Sequence, residues 1–200
     1  TSTLITITAG SQIVTINNIP AGGFNTIVDQ SIAIRATNSI VSGGGTITYS
    51  VASAAGGGSA TINASTGQLT ATGAGAITFT ATAAANANYN QASSSTLVII
   101  GKSTPTLSFS NINLSMTVGS TQQAMTSTTV MSSSGGMVTF SLNTTGSGSA
   151  TISATGFITA TGAGTVTLTA MAAGDSNYYS AITSTLITIT AGSQIVTINN

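Results

Sequence analysis

The stretch GSATINASTGQLTATGAGAITFTATA, residues 58–83, returns as GSATISATGFITATGAGTVTLTAMA at residues 148–172. In both copies apolar residues alternate with Thr: Leu69 and Ala71 with Thr70 and Thr72, then Ile77, Phe79 and Ala81 with Thr78 and Thr80, and in the second copy Val166 and Leu168 with Thr165, Thr167 and Thr169. A period of two over this length reads as β-strands with one buried face, and helical spacing with suitable caps occurs nowhere over a useful length. The chain is therefore expected to be all-β. Thr holds the outward positions, where its branched Cβ packs along the pleat and its hydroxyl stays wet.

A longer period encloses this one. TSTLITITAGSQIVTINN fills residues 1–18 and returns unchanged at residues 183–200, an offset of 182 residues from Thr1 to Thr183. Inside it, Ser2-Thr3-Leu4 recurs as Ser95-Thr96-Leu97 and as Ser184-Thr185-Leu186, so each long period holds two diverged units. About 90 residues suits one small β-sandwich. The expected division is 1–9 as the last strand of a preceding repeat, 10–101 as the first domain, 102–190 as the second and 191–200 as the first strand of the next. Both ends fall inside the copied segment, so the expectation is a longer repeat array.

Seven inward-facing strands are expected per unit. In the first they centre on Val14 and Ile16; Ile32 and Ile34; Ile47, Tyr49 and Val51; Ala60 and Ile62; Leu69 and Ala71; Ile77, Phe79 and Ala81; and Val98 and Ile100. The second follows the same order with Leu107 and Phe109, a weakly patterned segment near Met125, Val138, Phe140 and Leu142, Ile152, Ile158, Val166 and Leu168, and Ile187 and Ile189.

The segment SATINASTGQLTATGAGAITFTATA resembles the second half of a bacterial immunoglobulin-like domain of the group 2 type, found in tandem in invasin- and intimin-like adhesins. TITYSV precedes it where that family usually carries a strand with Trp, and Tyr49 and Phe140 stand in that place here. The NANYN and DSNYY segments, around Tyr89 and Tyr178, are similar to the loop before the last strand in repeats of giant surface proteins from gliding bacteria. The resemblance implies tandem immunoglobulin-like β-sandwiches in a secreted, extracellular, cell-surface adhesin or filament shaft, with target recognition in domains outside this segment.

Composition narrows the chemistry. Arg35, Lys102, Asp29 and Asp175 are the only formally charged side chains, the net charge is zero, and Glu, His, Cys and Trp are absent. A nucleic-acid partner or an anionic membrane surface calls for a basic footprint, and neither is expected. Thr, Ser and Gly interrupt every apolar run, so no transmembrane helix is expected, and the short strands do not suit the regular segments of a membrane barrel. General acid–base catalysis needs groups titrating near the working pH, zinc needs His or Cys clusters and calcium needs converging carboxylates. Asp29 and Asp175 fall at non-equivalent places in different units. The expectation is no enzyme, with no catalytic residue, no cofactor and no metal ligand.

Four weaker signals have plain readings. Gly73-Ala-Gly75 and Gly162-Ala-Gly164 lack the third Gly of a phosphate-binding loop and precede a strand, so they read as turn glycines. An isopeptide bond from Lys102 would need a buried Lys beside an assisting acid; with Ser11 taken as its counterpart in the first unit, Lys102 reads as a linker charge. Asn63, Asn113 and Asn143 head N-x-[ST] triplets that so Ser- and Thr-rich a chain supplies by composition. The Thr-x-Thr ladders suggest an ice- or polysaccharide-binding module as the alternative function, against which stands a repeat of about 90 residues on twisted strands.

Edge strands in soluble β-proteins are guarded by Lys, Pro, bulges or inward charges. With so few such residues here, identical chains are the expected partners, packed side by side. Domains arranged end to end, each with a longest strand of about nine residues at roughly 3.3 Å per residue plus end loops, give about 80 Å per long period. Imaging of native filaments checks this: an axial repeat of half that value or less means domains stacked side by side.

Overall fold

The computed structural model describes residues 4–17, 19, 24–40, 42–110, 112–129, 137–144 and 146–193, with the side chains of 125–129 excepted. The chain divides into two compact units, Thr1–Ser103 and Thr104–Asn200. Residues 194–200, assigned from sequence to the leading strand of a further repeat, lie outside the described residues.

In the first unit the strands are β1 (Val14–Asn17), β2 (Phe24–Ile27), β3 (Ser31–Ala33), β4 (Arg35–Asn38), β5 (Ile47–Ser53), β6 (Ser59–Ile62), β7 (Gln68–Gly73), β8 (Gly75–Ala83) and β9 (Ala92–Gly101). One sheet has the order β2-β9-β8-β5, with β2 parallel to β9 and the other pairs antiparallel. The other layer consists of β3-β7-β6, and β1 pairs with β4. The opening segment thus pairs twice, first with β4 through β1 and then with β9 through β2. That division, with a four-stranded sheet against a layer built on β7, is the arrangement of an immunoglobulin-like sandwich.

The second unit repeats it with β10 (Thr106–Ser110), β11 (Ser115–Thr117), β12 (Thr121–Gln123), β13 (Met125–Thr129), β14 (Val138–Asn143), β15 (Ser149–Ile152), β16 (Phe157–Gly162), β17 (Gly164–Ala172) and β18 (Ala181–Thr190). Its sheets are β11-β18-β17-β14 and β12-β16-β15, and β10 pairs with β13. Met116, Ala124, Ile158, Ala160, Val166, Leu168, Ile187 and Ile189 from both layers form its core.

The expected core residues on the long strands are where alternation places them. Ile77, Phe79, Ala81 and Val98 in one unit, and Val166, Leu168, Ala170 and Ile187 in the other, are at most 1% exposed. Ile47, Tyr49 and Val51 on β5 are half-buried instead, because β5 is an edge strand.

The strand count differs from the sequence reading: nine per unit among the described residues, against seven expected. Two causes account for this. The strand expected around Ile32 and Ile34 breaks at Ile34, whose N–H turns to Gly67 O (3.1 Å); Ala124 makes the same bond to Gly156 O (2.8 Å) in the second unit. The short parallel strands β2 and β11 carry too few residues to show a period and are defined by their partners β9 and β18.

The register also corrects one correspondence. Val14 on β1 and Leu107 on β10 are equivalent buried positions, which sets Lys102 opposite Ala9 and not Ser11. Lys102 is exposed, so the burial that isopeptide chemistry requires is lacking.

Gly75 opens β8 at φ 134°, and a Cβ there would run into the backbone of Gly56 and Gly58, whereas one on Gly43 (φ 82°) would meet nothing within 4 Å. Gly43→Ala should therefore cost only the left-handed penalty of about 1–2 kcal/mol, while Gly75→Ala should cost about 3 kcal/mol or more because backbone has to move. Urea unfolding of the two variants checks the order; equal losses would mean the turn yields freely.

Candidate functional site

Among the described residues there is no pocket and no grouping of three or more His, Cys, Asp or Glu. No helix is long and apolar enough to cross a membrane. Asp29 and Asp175 sit in turns of separate units. Asp175 Oδ1 accepts from the N–H groups of Asn177 (2.7 Å) and Tyr178 (2.8 Å), and Asn86 Oδ1 does the same for Asn88 and Tyr89, both at 2.9 Å. NANYN and DSNYY are thus one turn built twice, which Asp or Asn serves equally because only a side-chain oxygen is needed. Asn63 spends its Oδ1 similarly, on the N–H groups of Ser65 and Thr66 (both 3.0 Å).

What the fold presents instead is a surface: the outer face of each four-stranded sheet. Strand alternation turns Thr78, Thr80 and Thr82 on β8 outward beside Leu97, Ser95 and Ser93 on β9, with Thr48, Ser50 and Ala52 of β5 on the other side. In the second unit Thr165, Thr167, Thr169 and Met171 of β17 lie beside Thr188, Leu186, Ser184 and Ile182 of β18, with Thr139, Ser141 and Asn143 of β14 beyond. Neighbouring strands stand about 4.8 Å apart and successive outward residues about 6.6 Å, so the hydroxyls form a two-dimensional net. None of these residues is charged.

The net is partly self-satisfied. Thr80 Oγ1 and Ser95 Oγ share a hydrogen bond of 2.9 Å, and the equivalent Thr169 and Ser184 share one of 3.0 Å. On the smaller sheets Ser59 pairs with Thr72 (3.0 Å) and Ser149 with Thr161 (2.9 Å). Large apolar groups interrupt the net: Leu97 is 51% exposed and Ile99 43%, Leu186 53%, Ile182 68% and Met171 45%. Sequence reading set Val98 and Ile100 inward, which already placed Leu97 and Ile99 outward.

A second feature was not anticipated. Gln12 is only 5% exposed. Its Nε2 donates to Ala84 O (2.9 Å) and Asn90 O (2.7 Å), and its Oε1 accepts from Gly45 N (3.0 Å) and from Asn38 Nδ2. The loop between β8 and β9, the loop between β4 and β5 and the end of β4 are thus tied to the chain just before β1. No periodicity signals such a residue, and the second unit has buried Pro105 at the corresponding place.

No protein family matches this sequence, and no curated protein matches it. Solved structures similar to it include Drosophila N-cadherin EC1-3 (12% identity, 92% of this chain and 68% of that one, TM-score 0.33). Others are the fibronectin(III)-like modules of Clostridium thermocellum CbhA (17%, 89% and 94%, TM-score 0.35) and the insect immune protein hemolin (12%, 90% and 47%, TM-score 0.41). At these identities and TM-scores the likeness says nothing of function.

Gln12→Ala should lower unfolding stability by about 2–3 kcal/mol, since buried backbone carbonyls lose their donor, and should speed amide exchange in the loops around Gly45 and Asn90. Unchanged exchange there would mean that the loops hold without the clamp.

Proposed function

We propose that this chain is a structural repeat of an extracellular adhesin or filament shaft, related to the bacterial immunoglobulin-like repeats of the group 2 type. It extends from the cell surface and assembles laterally with identical chains, and it carries out no catalysis. One observation supports this reading above the others: the same uncharged face of hydroxyls and exposed apolar residues recurs on equivalent strands of both units.

Covering a charged face strips water from ions, which costs several kcal/mol per group unless each is paired. Covering this face strips water from hydroxyls that partly bond each other and from Leu97, Ile99, Leu186 and Ile182, whose burial is favourable at about 25 cal/mol per Å². Nothing electrostatic opposes contact between copies, and contact of this kind is nearly indifferent to salt.

The hydroxyl net also supports the alternative of an ice- or polysaccharide-binding module. Freezing-hysteresis and glycan-array measurements distinguish it from a structural shaft.

The solution mass of the chain at about 0.1 M and about 1 M salt, between which the screening length falls from about 10 to about 3 Å, tests the assembly. Association should persist at both, and Leu97→Lys with Leu186→Lys should reduce it. A soluble monomer under both conditions overturns lateral assembly and leaves a single-chain stalk.

A further inference from the structure

The outer faces of the two large sheets carry their exposed apolar residues at opposite ends. On β9 the outward residues run Ser93, Ser95, Leu97, Ile99, Gly101, and at the matching positions of β18 they run Ile182, Ser184, Leu186, Thr188, Thr190. The strands alongside follow the same slope: Ile99 has Ala76 beside it and Ser93 has Thr82, whereas Ile182 has Met171 beside it and Thr188 has Thr165. In the first unit, therefore, hydroxyls fill the end where β9 begins, and apolar groups, Ile27 of β2 among them, fill the end where it finishes. The second unit reverses this. Leu97 and Leu186, 51% and 53% exposed, hold the same central place on both.

A face four strands wide and up to nine residues long measures about 19 by about 30 Å, so two such faces in contact cover about 1,100 Å². A stable interface needs about 1,000 Å². With so little margin, apolar rows set against hydroxyl rows would deprive the contact of its favourable term, so the order of residues along the strands decides which faces can meet.

Two arrangements bring apolar ends together. In one, each face lies on its own kind in another copy with the strands parallel, which sets β18 over β17. Ile182 then meets Met171 at one end while Thr188 meets Thr165 at the other, and the bulky end holds the small end apart. In the other, the first unit's face lies on the second unit's face with β9 antiparallel to β18. Ile182 then comes to the row of Gly101, Ile99 to that of Ser184 and the two leucines to each other, with Ser93 and Ser95 at the rows of Thr190 and Thr188. Apart from the central leucines, large residues meet small ones, as close packing between sheets requires.

We propose that the outer face of the β2-β9-β8-β5 sheet binds the outer face of the β11-β18-β17-β14 sheet of a second copy, with β9 and β18 antiparallel. This pairing specifies the lateral assembly proposed above and rests on it. Each copy carries one face of each kind, and association is between unlike faces.

Two variants separate unlike from like pairing. One, Leu97→Lys with Ile99→Lys, keeps only the second unit's face; the other, Ile182→Lys with Leu186→Lys, keeps only the first unit's. All four positions are exposed, so both variants should keep the parent's urea midpoint, and Ser in place of Lys gives the same contrast without added charge. Sedimentation at about 1 M salt, where the added charges are screened, should find each variant alone a 19.4 kDa monomer at concentrations where the parent associates, and an equal mixture a dimer of twice that mass. The mixture should bind at least about tenfold more tightly than either variant binds itself. Either variant associating alone as tightly as the mixture, or a mixture that stays monomeric while the parent associates, overturns the unlike pairing and leaves lateral assembly standing. A monomeric parent overturns both.

Discussion

The antiparallel ladder between β8 and β9, and its counterpart between β17 and β18, constrains most of the rest of each unit. It is the longest pairing in each sandwich, and it fixes which residues enter the core and which face out. Along β8 the inward set runs from Ile77 and Phe79 to Ala81 and Ala83, large to small. The neighbouring edge strand compensates: Tyr49 stands opposite Ala81, and Phe140 opposite Ala170. Tyr49 lies against Phe79 with ring centroids 5.6 Å apart, and its hydroxyl accepts from Ala36 N–H at 3.2 Å on the other layer. One aromatic per unit thus stands beside the small residues of the long ladder and, in the first unit, its hydroxyl also bonds β4.

That ladder was legible because its pattern is long. Nine or ten residues of alternation declare both strand and face, and turn glycines mark the ends. The short elements were not legible, because their conformation is set by what they meet. FNTI and SMT become β2 and β11 only where β9 and β18 offer a free edge. The break at Ile34 comes from Gly67, held at φ 72°, whose carbonyl takes the Ile34 N–H, and a pattern reader sees only an apolar pair two residues apart. Gln12 was hidden for a related reason: a single polar residue before a strand looks like loop, and its burial depends on carbonyls 72 and 78 positions away. The outer face was half legible. Its residue types could be read directly, but the hydroxyl pairing required knowing which strand lies beside which.

The uncharged surface follows from the same economy. Thr on an outward position supports the strand through its branched Cβ and needs no long side chain to be ordered when the face is covered, whereas Lys or Glu would lose up to about 2 kcal/mol of rotamer entropy each. The hydroxyl pairs at Thr80 and Ser95, and at Thr169 and Ser184, keep a partner whether or not water is present. Such a face tolerates both solvent and burial.

The twice-written segment shows how little of this structure resides in local sequence. TSTLITIT is a strand with a fully buried Ile187 in one place and, over its described residues, an exposed chain without a strand in the other. Its β-branched residues favour extension in both settings, so propensity does not separate them. The difference is made by β17 and β11, which supply ladder partners on both sides and an apolar floor for two isoleucines. Strand formation here is a property of the seat, and the sequence specifies only that the segment is able to fill it.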